Sequence, residues 1–231
     1  MECIWLDCIR DQLDWLNKNE KNFSARLYGW AEKLGLKRLF LNSKFKIHNY
    51  MIVIANKKSK PENLRKKYGE DALIIDVTSK AMDDMVRLSP FYPHGGIPVP
   101  FSSGCTSMSV EGIWQGLKVF EHYGIDVQMF RNATMKNIKR TVRRFGKPLG
   151  HRKGVGSTEL LNYIDARMLI YVPAYKWMLE NKAQEQVQKI REWSKNKTVI
   201  LLDYNTNEDI SDPSTPLSHA AMVKAYIEGR L

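Results

Sequence analysis

A stretch rich in glycine, proline and serine, residues 93–107, sustains neither a long helix nor a long strand, so it divides the chain. At about fifteen residues it is long for a connection inside a compact domain, and loops of that length often carry function. Before it stands Leu88-Ser89-Pro90-Phe91-Tyr92-Pro93; after it, Ser109-Val110-Glu111-Gly112-Ile113-Trp114-Gln115-Gly116-Leu117-Lys118 reads as a helix that opens with an acid. Glu111, Trp114, Gln115 and Lys118 stand at i, i+3, i+4 and i+7 and so share one face. An acid, an indole, an amide and an ammonium make a poor core stripe. They make a wall suited to a polar, ring-containing ligand.

The chain has 231 residues, 43% hydrophobic and 26% charged, which suits one globular domain or a domain with an extension. No apolar run approaches the ~18 residues that span a bilayer. The N-terminal sequence, with an early acid and no basic region, does not read as a secretory signal. Cys3, Cys8 and Cys105 are odd in number and lack metal-ligand spacing, so they read as reduced thiols of a cytoplasmic protein. The net charge of +11 favours polyanionic partners, either nucleic acid or a phosphate-bearing small molecule.

Hydrophobic patterning predicts helices over much of residues 2–34, then a strand at Met51-Ile52-Val53-Ile54-Ala55. A short helix from Pro61 ends at Gly69, and a second strand follows at residues 72–77. Beyond the Glu111 helix the sequence predicts a basic helix from about Met135 to Phe145 and one or two helices from Thr158 to about Asn181, kinked at Pro173. Gln184–Trp193 reads as a helix, residues 198–203 as a strand, 205–215 as a polar loop and 217–228 as a closing helix. The expected architecture is α+β: a predominantly helical single domain with a small β-sheet over residues 49–231, preceded by a helical extension over residues 1–48.

The Leu-Ser-x-Phe-Tyr-Pro element and the Ser-Val-Glu-x-x-x-Gln-x-x-Lys helix, in this order, resemble the NADAR family, whose name reflects a link to NAD and ADP-ribose chemistry. Ser89, Phe91, Tyr92 and Pro93 match the first element, and Ser109, Glu111, Gln115 and Lys118 the second. The resemblance covers residues 88–231. Pro90 stands where the family carries asparagine, Gly112 where it carries histidine, and Asn207–Asp212 replace its late Asp-x-x-Trp-Gly element. The resemblance implies cleavage of N-glycosidic bonds in ADP-ribosyl, phosphoribosyl or modified-nucleotide substrates. No cofactor and no metal are expected.

Such cleavage develops oxocarbenium character on the ribose, which a carboxylate can stabilise while it activates water. Glu111 is the first candidate. Its place in the first turn favours the ionised form through the helix dipole, and the same position also suits a plain helix cap. Asp203 and Asp209, around the carboxyl end of a predicted strand, are candidates for a second catalytic or ribose-binding acid. Phe91, Tyr92 and Trp114 offer rings for stacking on a base, with core packing as the alternative. Ser89, Gln115 and Lys118 complete that wall.

Lys136, Arg140, Arg143, Arg144 and Lys147 would share one face of the predicted basic helix, where like charges at i, i+4 repel unless an anion joins them. Arg140, Arg143 and Arg144 are thereby candidates for a diphosphate or a nucleic-acid backbone. His151 in the following loop adds a titratable donor. Arg167, Tyr171 and Tyr175 recur at i, i+4 and i+8 and read as packing, and Ser218-His219 as a helix start. The expected partner is a nucleotide or ADP-ribose-type small molecule, with a basic nucleic-acid-binding module as the alternative. No membrane association is expected.

Overall fold

The computed structural model describes residues 50–231. The expected helical extension over residues 1–48, with Cys3 and Cys8, lies outside the described residues. The frame is a three-stranded parallel sheet in the order β1 (Ile52–Asn56), β8 (Val199–Asp203), β2 (Leu73–Asp76). The middle strand, Val-Ile-Leu-Leu-Asp, is apolar on both faces because both faces are covered. Ala55, Ile200, Leu64 and Ala72 pack on one face, where helix α1 (Pro61–Tyr68) lies. Ile52, Ile75, Val199 and Leu201 join the main core on the other.

That main core is built largely by helices. Helix α2 (Val110–Leu117) contributes Val110, Ile113 and Leu117, all buried. After the four-residue α3 (Val142–Phe145), a longer helical run begins with α4 (Tyr163–Ala166), passes through a π turn at Arg167–Tyr171 and continues as α5 (Val172–Asn181). Asn162 caps the run, its side-chain oxygen accepting from the Asp165 N–H at 2.9 Å. The predicted irregularity at Pro173 is therefore realised one turn earlier. Proline in the first turn of α5 has no N–H to donate backward, and the wider π turn precedes it. Tyr175, fully buried, donates its hydroxyl to the Leu88 carbonyl at 2.6 Å and ties α5 to the segment before the long loop. Helices α6 (Gln184–Trp193) and α7 (His219–Ile227) complete the core.

Two smaller sheets adjoin it. β3 (Ile97–Pro98) and β4 (Thr106–Ser107) form a hairpin inside the glycine-rich loop. β5 (Lys118–Phe120), β6 (Pro148–Arg152) and β7 (Leu160–Leu161) form an antiparallel sheet. The fold is thus mixed α/β with small sheets. The added strands run two to five residues, too short to establish a period of two.

One glycine holds the long loop against its neighbour. Gly154 has φ +84°, and a Cβ there would stand 2.1 Å from the Phe101 carbonyl oxygen. Beside it the Val155 N–H donates to Ser102 Oγ at 2.9 Å. Gly154→Ala is expected to lower unfolding free energy by roughly 1–3 kcal/mol, from left-handed backbone strain and steric overlap. Urea denaturation followed by circular dichroism measures it.

No helix among the described residues is long and apolar enough to cross a membrane.

Candidate functional site

The three parallel strands end on the same side, and the loops leaving β2 and β8 line a cleft of about 490 Å³. Thr78 and Ser79 follow β2, and Tyr204 and Asn205 follow β8. Opposite stands α2. Ser109 Oγ accepts from the Gly112 N–H at 3.0 Å and fixes its first turn, while the Glu111 N–H donates to the Pro90 carbonyl at 2.8 Å. That second bond locks Ser89-Pro90-Phe91 beside the helix start. Glu111, Trp114, Gln115 and Lys118 all line the cleft, as their spacing requires.

Glu111 is 8% exposed. Its Oε1 accepts from Gln115 Nε2 at 2.8 Å, and Gln115 Oε1 accepts from the Arg140 N–H at 3.1 Å, so the amide is fixed from both ends. Burial pushes the Glu111 carboxyl above the usual carboxylate range; the Gln115 hydrogen bond and the charges of Lys118, Lys139 and His219 oppose this without cancelling it. Burial thus works against the ionised form that the helix dipole favours. A first-turn dipole supplies at most about 2 kcal/mol, and desolvation of a buried charge costs more. Lys118 is held below its ordinary value by burial, which outweighs the attraction of Glu111. Its Nζ lies 5.8 Å from the Trp114 ring centre.

Asp203 behaves in the opposite sense. Burial raises its carboxyl, but the hydrogen bond and charge of His219, the Ser218 hydroxyl and the Tyr204 N–H together hold it below the usual value. Oδ2 lies 2.9 Å from His219 Nδ1 and accepts from Ser218 Oγ at 2.7 Å; Oδ1 accepts from the Tyr204 N–H at 2.7 Å. His219 Nε2 stands 2.8 Å from the Val77 carbonyl oxygen. A carboxyl with a depressed folded value contributes stability that is present above its unfolded value, near 3.8, and lost as pH falls through the folded one. Asp203→Asn is therefore expected to flatten the loss of melting temperature below about pH 4 relative to the unchanged protein. Thermal melts across an acid series measure the difference.

The cleft gathers Ser89, Phe91, Glu111, Trp114, Gln115, Lys118, Arg140 and Asp203 from the sequence candidates. The remaining candidates lie elsewhere. Tyr92 turns to Arg87, accepting from its guanidinium at 3.3 Å. Asp209 accepts from the Ser211 N–H at 2.7 Å within the exposed loop. His151 is buried behind Trp114, ring centres 3.7 Å apart, and burial with the charge of Lys118 drives its value to about 3. It is a neutral ring supporting the indole, and the expected titratable donor is corrected accordingly.

The predicted basic helix is also corrected. Met135 and Asn137 adopt left-handed φ values of 58° and 54°, and only Val142–Phe145 is helical. The shared cationic face does not form. Ile138 and Arg140 point inward instead, and the Arg140 guanidinium donates to the carbonyls of Gln115 (3.2 Å), Lys118 (2.7 Å) and Gly124 (2.8 Å). Arg143 is exposed, and Arg144 lines a neighbouring depression.

The cleft lining also includes Lys139, Tyr163, Arg167, Tyr171 and His219, which the sequence reading did not assign to the site. Arg167, 2% exposed, donates to the carbonyls of Asp209, Ile210, Asp212 and Thr215 and to the Tyr163 hydroxyl, so it fastens the loop that follows β8. For Arg167 and Tyr171 the sequence signal was their spacing with Tyr175, which reads equally as a packing stripe. Among the described residues no three His, Cys, Asp or Glu side chains gather to hold a metal ion.

No curated protein matches the chain. A family model matches residues 56–223, which include both strand ends, the Glu111 helix and the Asp203–His219 pair, and the chain accordingly belongs to DUF6939, a family of unknown function.

Proposed function

We propose that the protein hydrolyses an N-glycosidic bond in a phosphorylated ribosyl substrate of the ADP-ribosyl, phosphoribosyl or modified-nucleotide kind. The observation that carries the proposal is a pair of carboxyls in one cleft whose surroundings drive them apart, Glu111 upward and Asp203 downward. Such divergence separates an acid from a fixed charge in enzymes that cleave glycosidic bonds.

In this reading the protonated Glu111 gives its proton to the departing nitrogen as the C1′–N bond breaks and its electron pair leaves with the base. The ribosyl cation is stabilised by the carboxylate of Asp203, whose oxygens are already occupied by donors and so act as charge alone. Water adds to C1′, and its proton returns to the Glu111 carboxylate. Phe91 and Trp114 sandwich or abut the base. Lys118 and Lys139 are the cations for phosphate; among the described residues neither makes an ion pair with a carboxylate. The resemblance to NADAR proteins supports the same assignment of Glu111. A NADAR-like fold is part of this proposal.

The test is incubation of the full chain with ADP-ribosylated guanosine, nucleoside monophosphates and phosphoribosylated bases, followed by chromatography of the released base. Release of a base that disappears with Glu111→Gln supports the reading. Release from none of these substrates removes it.

A further inference from the structure

We propose that the depression beside the cleft is a track for single-stranded nucleic acid, along which one nucleotide of a strand enters the cleft. The inference takes from the proposed function only that the cleft receives a nucleotide. The depression has about 530 Å³ and shares Lys139, Arg140 and Thr141 with the cleft, so the two are continuous across that strip.

The strip is built to display charge. Buried Ile138 and Arg140 anchor an irregular backbone, held open by the left-handed Met135 and Asn137. Between and beyond these anchors, Lys136, Lys139, Arg143, Arg144 and Lys147 are exposed. Among the described residues none of these five pairs with a carboxylate. The nearby acids serve the backbone: Asp126 accepts from the Gln128 N–H at 3.1 Å and Glu121 from the Lys147 N–H at 2.8 Å. Mutual repulsion among unneutralised cations is relieved by a chain of phosphates, which releases counterions as it binds.

The aromatic content decides the kind of polyanion. Tyr123 is 51% exposed on the wall of the depression, edge-on to Phe145 with ring centres 4.9 Å apart. An exposed ring beside a cationic groove is a stacking platform for an unpaired base. A duplex keeps its bases stacked inside and reaches neither Tyr123 nor the cleft, whereas a strand already unpaired gives up a nucleotide at low cost. The cations also run past the depression to Arg143 and Lys147.

Fluorescence anisotropy with the full chain and a short labelled poly-dT or poly-U strand, over a potassium chloride series, tests the track. Affinity is expected to fall with salt at a slope of about −0.7 per phosphate contacted. Combined Arg143→Glu, Arg144→Glu and Lys147→Glu should weaken binding roughly tenfold or more and flatten that slope. Tyr123→Ala should weaken it by roughly a factor of ten at unchanged slope. Circular dichroism melts of each variant confirm folding. Strand binding lost on charge reversal, with no base released by any substrate, upholds the track and removes only the glycosidic chemistry. Strand binding that is absent, insensitive to the charge reversal, or matched by a duplex of equal length overturns the track.

Discussion

Glu111→Gln is expected to fold as the unchanged protein does and to lose about 10²- to 10⁴-fold in kcat, the usual share of a general acid. Glutamine retains an oxygen to accept from Gln115 Nε2, and the cap at Ser109 is untouched, so the melting temperature should hold or rise slightly. KM should change little, because the amide keeps the shape of the wall. The pH profile carries the sign. A carboxyl raised by burial acts as an acid below its raised value, so turnover should decline as pH climbs through it. In the variant, any residual turnover should lack that descending limb. Steady-state kinetics across a pH series on the substrate identified above measure both, and a variant with undiminished turnover would sink the assignment of Glu111.

Arg167→Met should have the largest effect on stability. The guanidinium is buried and surrounded by the carbonyls of Asp209, Ile210, Asp212 and Thr215 together with the Tyr163 hydroxyl. Methionine fills much of the volume but leaves those acceptors without donors. Each buried acceptor left bare costs about 1–3 kcal/mol, and relaxation of an exposed loop recovers part, for a net loss of roughly 3–5 kcal/mol. That corresponds to a fall of roughly 10 °C in melting temperature for a domain of this size. Arg167→Lys should recover only a fraction, because an ammonium reaches fewer of the carbonyls in one geometry. Calorimetry compares the three. Equal melting temperatures would show that the loop holds itself.

Elements with a single strong local signal were legible in the sequence. Pro61 at a first turn and Gly69 at its end mark α1, and the apolar run Val199–Leu202 marks the strand that became the centre of the sheet. The face Glu111, Trp114, Gln115, Lys118 was legible because helical spacing is a property of the helix itself. What sequence could not supply is set by distant partners. Arg140 looked like one cation among several; its burial follows from carbonyls of Gln115, Lys118 and Gly124, a surface no local pattern reports. The left-handed Met135 and Asn137 break a helix that periodicity favours, because Ile138 and Arg140 must both turn inward. His219 followed a serine that suits a cap, and it does sit behind one, yet β8 brings Asp203 to its ring from sixteen positions upstream in the chain.

The π turn at Arg167–Tyr171 has a consequence for how this family can vary in length. A π turn accommodates one residue more than an α turn, so removal of a single residue there would restore regular winding. Everything upstream would then rotate by about 100° relative to α5. Tyr175, Met178 and Leu179 would stay seated, while Tyr163 would swing away from the cavity it now borders. A change of count at this point would therefore redraw the wall of the cavity while leaving the packing of α5 in place.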